Sequence, residues 1–329
     1  MKRIGLIGCG IVTIKAHLPA LFNDPTQSIT ERGFVVTAIC GLEKDKVDFI
    51  KAKLPSAAVF SDYQELINSA LCDCVLIATG EESHLEIAEY ALKNDLFALI
   101  EKPASTDSKE IMKFIEKNRS HLDKLQVAFN KRFYPGMLQT QKLIKSGDFS
   151  KAVGGNVYFF TQQGRKPGKE GILSNLIHLC DTVCYLFGDP VEVNANFSKV
   201  LNDEKLGKTI SISVITTQGN CVSMLFTSSS NWSLPTHEQI QILDDKKNNI
   251  CIENNNKVKF TKCYENGLIQ THLYEQSNSI FWNKDPNGYK TQLTEFYKLV
   301  SGKIQKPVVN IFDALAAHKL FERIFDFDK

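Results

Sequence analysis

The sequence predicts an α/β protein with two domains: a doubly wound parallel sheet, then an α+β domain with a large, mainly antiparallel open sheet. In residues 1–128, continuous apolar runs alternate with helix-like segments, which is typical of parallel strands covered on both faces. In residues 129–329, alternating runs are separated by turn signals, which is typical of antiparallel strands. The length of 329 residues also exceeds what one typical domain needs.

The first domain is predicted from five apolar strand patterns in order. These are RIGLIG, FVVTAIC, CVLIAT, FALIE and LQVAFN. A helix to Leu21 follows the first strand, and later helices are predicted in EKDKVDFIKAKL, Tyr63–Ser69, HLEIAEYALKN and SKEIMKFIEKNR. We therefore expect residues 1–128 to form a nucleotide-binding type of doubly wound domain and residues 129–329 to form the substrate and oligomerisation domain.

The second domain begins with a predicted helix, Gly136–Ser146. The strand patterns VYFFTQ, VEVNANF, TISISVITT, CVSMLFTS and EQIQIL follow, interrupted by the turn signals Gly188-Asp189-Pro190, Gly219-Asn220 and Asp244-Asp245. Residues 312–325 carry apolar side chains at helical spacing and predict a final helix.

The composition argues for a small-molecule partner. The 39 basic and 37 acidic side chains give a formal charge of +2, too little to favour nucleic acid or an anionic membrane. The N-terminus has no signal-peptide pattern and no apolar run reaches the length of a membrane span, so a soluble, cytoplasmic protein is expected. The nine cysteines lie mostly in apolar segments, and Cys180 and Cys184 are expected to pack in the core rather than bind a metal.

The stretch GCGIVT, at the end of the first strand, partly matches the G-x-G-x-x-G dinucleotide fingerprint. Gly8 permits the tight turn, and Gly10 lets the backbone approach a pyrophosphate at the start of a helix. Thr13 stands at the third glycine position, where it would only make the helix pack less closely on the strand.

The second strand lacks the acidic residue that usually binds the adenosine ribose. Gly41 stands at its end. Glu43 could reach the ribose instead, or Lys44 could meet the 2′-phosphate of NADP, so both NAD and NADP stay open as cofactors.

The segment LIEKPAS places Glu101, Lys102 and Pro103 at the carboxyl end of a strand, where open parallel sheets bind ligands. A Glu-Lys pair at this position could be a surface ion pair. However, a glycine turn, ATGEESH at residues 78–84 and EKP follow one another in the order expected of a dinucleotide-binding enzyme.

This ordered set resembles the Gfo/Idh/MocA oxidoreductases, the family of glucose-fructose oxidoreductase and inositol dehydrogenase. The resemblance covers nearly the whole chain through GCGIVTIKAHLPAL, the Thr79 and His84 region, EKP, NKRFYPGM, SGDFSKAVG and ILSNLIHLCDTVCYLFGDP. It implies a Rossmann-like first domain that binds NAD or NADP, and a sheet domain that holds the substrate and often forms a dimer or tetramer interface. It also implies that Lys102 contacts the reacting hydroxyl and that His178 accepts or donates its proton.

The chemistry of these two residues suits the oxidation of a secondary alcohol. Loss of hydride requires loss of the hydroxyl proton, which an imidazole with an ordinary pKa of about 6.5 can accept. A lysine beside the same oxygen stabilises the developing alkoxide. The family usually carries Asp four residues before the histidine, whereas this chain has Ser174; Asp181 could orient His178 instead or could form an ion pair elsewhere.

The expected site residues fall into three groups, with no metal. The catalytic pair is Lys102 and His178, and the cofactor residues are Gly8, Gly10, Ile11, Val12, Gly41, Lys44, Thr79, His84 and Glu101. The substrate residues are Lys102, Arg132, Ser174, Asn175 and His178. His84 could instead make a structural hydrogen bond, Arg132 could be solvated, and His17 is expected to be structural.

The loop at residues 162–171 contains Arg165, Lys166 and Lys169, so an anionic sugar derivative is conceivable, although a solvated loop has the same composition. The leading hypothesis is an NAD(P)-dependent oxidoreductase acting on a sugar, a cyclitol or a related polyol. Two alternatives are a non-catalytic dinucleotide sensor, like the galactose-pathway co-repressor of this fold, and a reductase resembling biliverdin reductase.

Overall fold

A computed structural model of the chain describes residues 1–22, 33–162, 168–198, 208–230, 237–275, 285 and 287–327. By its internal contacts the chain divides into two compact units. The first contains Met1–Asn130 and Phe281–Leu315, and the second contains Lys131–Ile280 and Ala316–Lys329.

The first unit is built on a six-stranded parallel sheet, which confirms the predicted doubly wound fold. Its strands lie in the order β3-β2-β1-β4-β5-β6. They are β1 Lys2–Ile7, β2 Phe34–Cys40, β3 Ala58–Phe60, β4 Cys74–Ile77, β5 Phe97–Ile100 and β6 Leu125–Val127. Because the order reverses between β1 and β4, the carboxyl ends of these two strands flank the crevice where such sheets bind ligands.

Helices cover both faces of this sheet. After β1 the chain forms a π-helical turn, Thr13–His17, and continues as α1, Leu18–Leu21. The next four helices are α2 Lys44–Lys53, α3 Tyr63–Asn68, α4 His84–Lys93 and α5 Ser108–Lys117. A late helix, α8 Tyr289–Val300, also belongs to this unit, and its Phe296 packs against Phe34 of β2 with ring centroids 5.9 Å apart.

The second unit is built on an eight-stranded sheet in the order β14-β13-β12-β11-β7-β10-β9-β8. Among its described strand pairs β7 and β10 run parallel and the others antiparallel, which confirms the mainly antiparallel sheet. The strands are β7 Ala152–Phe160, β8 Pro190–Phe197, β9 Thr209–Thr216, β10 Cys221–Thr227, β11 Glu238–Asp244, β12 Asn249–Glu253, β13 Lys257–Cys263 and β14 Ile269–Glu275.

One face of this sheet is covered by α6, Pro135–Lys145, and by α7, Gly168–Phe187. Strand burial alternates strictly in β9 and β10, so one face is apolar and buried while the other carries small polar residues such as Ser211, Ser213 and Ser223. The long helix α7 packs closely because Gly155 of β7 has no side chain: a Cβ there would lie 2.9 Å from the Phe187 ring. The last helix, α9, spans Ile311–Phe325 and matches the predicted final helix.

No helix in the described ranges has the length and apolar character needed to cross a membrane.

Candidate active site

The glycine turn after β1 requires its first glycine for the fold itself. Gly8 has φ of +99°, and a Cβ on it would lie 2.4 Å from the carbonyl oxygen of Ala78, just after β4. Its N–H donates to the Cys40 carbonyl at the end of β2, at 2.9 Å. Gly8 therefore brings the carboxyl ends of three neighbouring strands together.

Gly10, the second glycine of the turn, has open space on the side where a Cβ would lie. Among the described residues, the atom nearest to a Cβ on Gly10 would be the Ala78 oxygen at 3.9 Å, so this backbone has space beside it for a ligand. The helical bonds begin at once, because the Ile14 N–H donates to the Gly10 carbonyl at 3.0 Å. Ile11 and Val12, at this helix start, are 36% and 37% exposed although both are large and apolar.

Thr13 has a more specific role than the looser packing expected from its size. It is fully buried, and its hydroxyl donates to the Gly8 carbonyl at 2.6 Å. The side chain at the third glycine position thus stabilises the turn.

The end of β2 has no room for the usual acidic side chain in the present arrangement. A Cβ on Gly41 would lie 2.7 Å from the Cys9 sulfur and 2.9 Å from Val47 Cγ2. The nearby Glu43 carboxylate lies 2.5 Å from the Lys46 ammonium, and both side chains are substantially exposed. Lys44 begins α2 beside them.

The segment after β4 is bonded to the EKP turn through His84. One ring nitrogen, Nδ1, lies 2.9 Å from the Pro103 carbonyl oxygen and the other, Nε2, lies 3.2 Å from the Thr79 carbonyl oxygen. The Thr79 hydroxyl is itself bonded to that of Ser83 at 2.7 Å. His84 is only 2% exposed. Its two contacts are consistent with a structural hydrogen bond, the alternative to a role in cofactor binding.

A buried pair holds the EKP turn from the other side. Nε2 of His17 lies 2.7 Å from Oε1 of Glu101, and Oε2 of Glu101 accepts the backbone N–H of Lys102 at 3.1 Å. Burial raises the pKa of the Glu101 carboxyl, but the hydrogen bond and the electrostatic interaction with His17, followed by the positive charge of Lys102, outweigh it, so the pKa lies below its ordinary value. No local pattern in the sequence indicates this pairing, because His17 and Glu101 are 84 residues apart.

In the second unit, helix α7 carries the predicted substrate residues. His178 is 8% exposed, whereas Ser174 and Asn175 are half-buried. The Ser174 hydroxyl donates to the Gly171 carbonyl at 2.8 Å, and the Asn175 amide lies 3.5 Å from the Gln162 carbonyl oxygen. The apolar stripe expected on this helix is fully buried, at Leu176, Cys180, Val183 and Phe187.

Asp181, one turn after His178, forms an ion pair with the buried side chain of Arg132. Arg132 Nε lies 3.1 and 3.0 Å from the two carboxylate oxygens, and Nη2 lies 2.5 Å from Oδ1. The guanidinium also lies over the Tyr185 ring, 4.4 Å from its centroid. Arg132 is 4% exposed, so the alternative of a solvated Arg132 side chain is wrong.

Lys131, the residue before Arg132, is also buried and forms an ion pair with a different carboxylate. Lys131 Nζ lies 2.6 Å from Oε2 of Glu238, at the start of β11, and 3.7 Å from the Phe159 ring centroid. Asn255 donates to the same Glu238 oxygen at 2.7 Å. Burial lowers the pKa of Lys131, although Glu238 opposes that effect.

The predicted basic loop at residues 162–171 is shorter than expected, because α7 already begins at Gly168. Lys169 lies in this helix with its ammonium 5.2 Å from the Phe325 ring centroid of α9, whereas Arg165 and Lys166 lie outside the described residues. In the described part of the chain, no group of three or more His, Cys, Asp or Glu side chains is arranged to hold a metal ion.

Comparisons with known proteins agree with this geometry. Residues 2–129 match the family model described as "Oxidoreductase family, NAD-binding Rossmann fold" (GFO_IDH_MocA). The inositol 2-dehydrogenase/D-chiro-inositol 3-dehydrogenase of Lactiplantibacillus plantarum is 27% identical over 193 residues, which cover 57% of this chain and 53% of that protein. The myo-inositol 2-dehydrogenase of Thermotoga maritima is 27% identical over 215 residues, which cover 63% of this chain and 61% of that protein. The chain thus spans little more than half the length of these curated relatives.

A solved structure shares the fold over almost the full length. It is an oxidoreductase from Agrobacterium radiobacter in complex with NAD+, L-tartaric acid and magnesium, with a TM-score of 0.79, 18% identity, and coverage of 99% of this chain and 95% of that chain. The fold and the glycine turn define an NAD-binding Rossmann-fold protein with an α+β sheet domain. Residues 2–129 are therefore similar to the NAD-binding domain of the Gfo/Idh/MocA oxidoreductases.

Proposed function

We propose that the chain is an NAD(P)-dependent dehydrogenase or reductase that acts on a secondary hydroxyl, or its ketone, in a sugar, a cyclitol or a related derivative. The observation that carries the proposal is the carboxyl edge of the parallel sheet. There, an open glycine turn at Gly10 and an anchored Glu101-Lys102 turn follow two strands of one sheet. The names of the inositol dehydrogenases that the chain resembles support a cyclitol as the first substrate to test.

The first unit would bind the cofactor. The backbone at Gly8 and Gly10 suits a pyrophosphate, and the exposed apolar side chains of Ile11 and Val12 suit contact with the cofactor. Gly41, Lys44, Thr79, His84 and Glu101 would surround the rest of it. When bound, the nicotinamide accepts or supplies the hydride.

The chain's own residues would manage charge and protons. The Lys102 ammonium would stabilise the alkoxide that develops when the substrate hydroxyl loses its proton. His178 would accept that proton. Ser174, on the same helix as His178, would contact the substrate through its hydroxyl, which also donates to the Gly171 carbonyl. Arg132 is engaged by Asp181 and would position α7 rather than contact the substrate directly.

The choice between NAD and NADP is part of the proposal. Gly41 offers no carboxylate to a ribose 2′-hydroxyl, and the exposed Glu43 and Lys46 form an ion pair that either cofactor would have to meet. We therefore propose NAD or NADP as the cofactor, with residues 1–128 as the cofactor domain and residues 129–329 as the substrate domain. The open face of the second sheet would form the interface of a dimer or tetramer.

The first test is titration of the purified protein with NADH and NADPH, followed by nicotinamide fluorescence, and then a screen of inositols and sugars for reduction of NAD+ and NADP+. Saturable binding with turnover would support the proposal, and H178A should then lower kcat far more than cofactor affinity. Binding without turnover of any polyol would favour the dinucleotide sensor, for which the missing carboxylate at Ser174 is the specific observation. Failure to bind either nucleotide would overturn both functions.

A further inference from the structure

The first helical segment after the glycine turn is wider than an α-helix. Over Thr13–His17 it is π-helical, and the Leu18 N–H donates to the Thr13 carbonyl, five residues back. Pro19 favours this wide turn, because it has no N–H to offer the Lys15 carbonyl and its ring would clash with that carbonyl in a regular α-helix. The wide turn therefore contains one residue more than an α-helical turn, a feature that is frequent at functional sites.

This wide turn makes a buried contact at each of its ends. At its start, the Thr13 hydroxyl donates to the Gly8 carbonyl at 2.6 Å. At its end, Nε2 of His17 lies 2.7 Å from Oε1 of Glu101, and these two side chains are 0% and 7% exposed. The His17 ring also contacts Tyr289 of α8 edge to face, with ring centroids 5.2 Å apart. One short segment thus connects the glycine turn with the end of β5.

Glu101 extends this connection to the turn that carries Lys102. Its N–H donates to the Ile77 carbonyl at the end of β4, at 2.9 Å, which fixes its backbone to the sheet. Its side chain binds the next residue, because Oε2 accepts the Lys102 N–H at 3.1 Å. After Lys102, the Pro103 carbonyl oxygen lies 2.9 Å from Nδ1 of His84. The Lys102 turn is therefore held on both sides.

We propose that His17 is a positioning residue, placed by the wide turn, that fixes the Glu101 carboxylate and through it the backbone of Lys102. The role follows from distance and burial, and it holds for either charge state of the imidazole. The inference rests on the proposed function for its use, because there Lys102 contacts the substrate hydroxyl. A turn that is already in place needs no rearrangement when the substrate binds.

The first test changes the reach of the side chain at position 17. Glutamine offers an amide N–H close to the place of His17 Nε2, whereas asparagine is one methylene shorter and falls short of Glu101. Amide hydrogen exchange, followed by NMR, reports the bond between the Lys102 N–H and Oε2 of Glu101. The N–H of Ala78, which donates to the Ile7 carbonyl at 2.8 Å, serves as the reference for the sheet.

The two variants should differ at one amide. H17N should accelerate exchange at Lys102 at least roughly tenfold, the scale of one hydrogen bond, and leave exchange at Ala78 unchanged. H17Q should keep both rates within about threefold of wild type, because it restores the donor. A merely structural defect would accelerate both amides in both variants.

The second test leaves the histidine in place. Deletion of the exposed Lys15 together with P19A removes the extra residue and the proline, so the segment can close into an α-helix. Thr13 and the histidine are then three residues apart and still share a face, so the protection of Lys102 should persist. The control is deletion of Lys113, an exposed residue of the regular helix α5. It turns the buried Phe114 by about 100° around the helix and should lower the urea midpoint.

Four results would overturn the inference. They are equal exchange at Lys102 in H17N and H17Q, acceleration at Ala78 together with Lys102 in H17N, loss of Lys102 protection in the Lys15 deletion, and an unchanged urea midpoint in the Lys113 deletion. Circular dichroism verifies folding, and the deletion pair decides the outcome if H17N does not fold. NADH binding by the wild-type protein is titrated separately. Its absence would overturn the proposed function, whereas the exchange rates would still decide whether His17 holds the Lys102 turn.

Discussion

The two glycines of the turn should fail in different ways when each is replaced by alanine. Gly8 has a left-handed φ of +99°, and its added Cβ would lie 2.4 Å from a backbone oxygen and 2.5 Å from the carbonyl carbon of Ala78. Backbone cannot rotate away as a side chain can, so G8A must displace the end of β4 from the end of β1. We expect a loss of about 3 kcal/mol or more in the free energy of unfolding, from strained φ plus displaced packing.

Gly10 lacks both penalties. Its backbone lies outside the left-handed region, and the nearest described atom to an added Cβ is 3.9 Å away, an ordinary van der Waals contact. G10A should therefore change the free energy of unfolding by less than about 1 kcal/mol, and alanine even restricts the unfolded chain. The methyl group would, however, occupy the space that a pyrophosphate needs, so NADH affinity should fall at least roughly tenfold.

Urea unfolding followed by circular dichroism, paired with NADH fluorescence titration, separates the two effects. G8A should lose stability, and any loss of binding would follow from that. G10A should keep its stability and lose binding. If G10A bound NADH as tightly as the wild-type protein, the open space beside Gly10 would not be the pyrophosphate site, and the assignment of the crevice would be wrong.

Three further predictions concern buried polar contacts. K131M leaves the Glu238 carboxylate buried without a cation and should cost about 3–5 kcal/mol in urea unfolding at pH 7, most of which the double variant K131M/E238Q should recover; no recovery would refute the pairing. The pKa of the Glu101 carboxyl is lowered in the folded state, so ionised Glu101 stabilises the folded protein above pH 4.5, and this stabilisation is lost as pH falls through the folded pKa. E101Q should therefore lower the free energy of unfolding at pH 7, and the difference from wild type should shrink below pH 4.5. A difference that stays constant with pH would contradict this. T13V removes the hydroxyl that donates to Gly8 and should cost about 1–2 kcal/mol in thermal unfolding, whereas an unchanged Tm would show that the bond contributes nothing.

The fold could be predicted wherever one local rule decided the structure. Strands β7 to β11 could be predicted because their side chains alternate between a buried and an exposed face. This alternation is visible in the sequence as apolar and polar residues in turn. The sequence patterns do not predict strands β12 to β14. Their segments NICIE, KVKFTKC and IQTHLYE carry lysines, asparagines and half-buried positions that weaken the alternation.

The glycine turn was also predictable, since only glycine adopts the conformation of Gly8 at little cost. The contacts of the charged and polar side chains were not. His17 meets Glu101 only because the sheet order places β5 two strands from β1, and no local pattern encodes that order. The tertiary fold likewise decides whether a hydroxyl such as that of Thr13 donates a hydrogen bond to a buried backbone carbonyl.

The segment NKRF shows why composition misleads at such positions. Charged residues after a strand are usually solvated, yet Lys131 and Arg132 are both buried because each meets its own carboxylate, one on β11 and one on α7. These ion pairs attach one short segment to two different elements of the second unit. Substitution of Asp181 would break its ion pair with Arg132, so substitution of His178 is the more direct test of proton transfer.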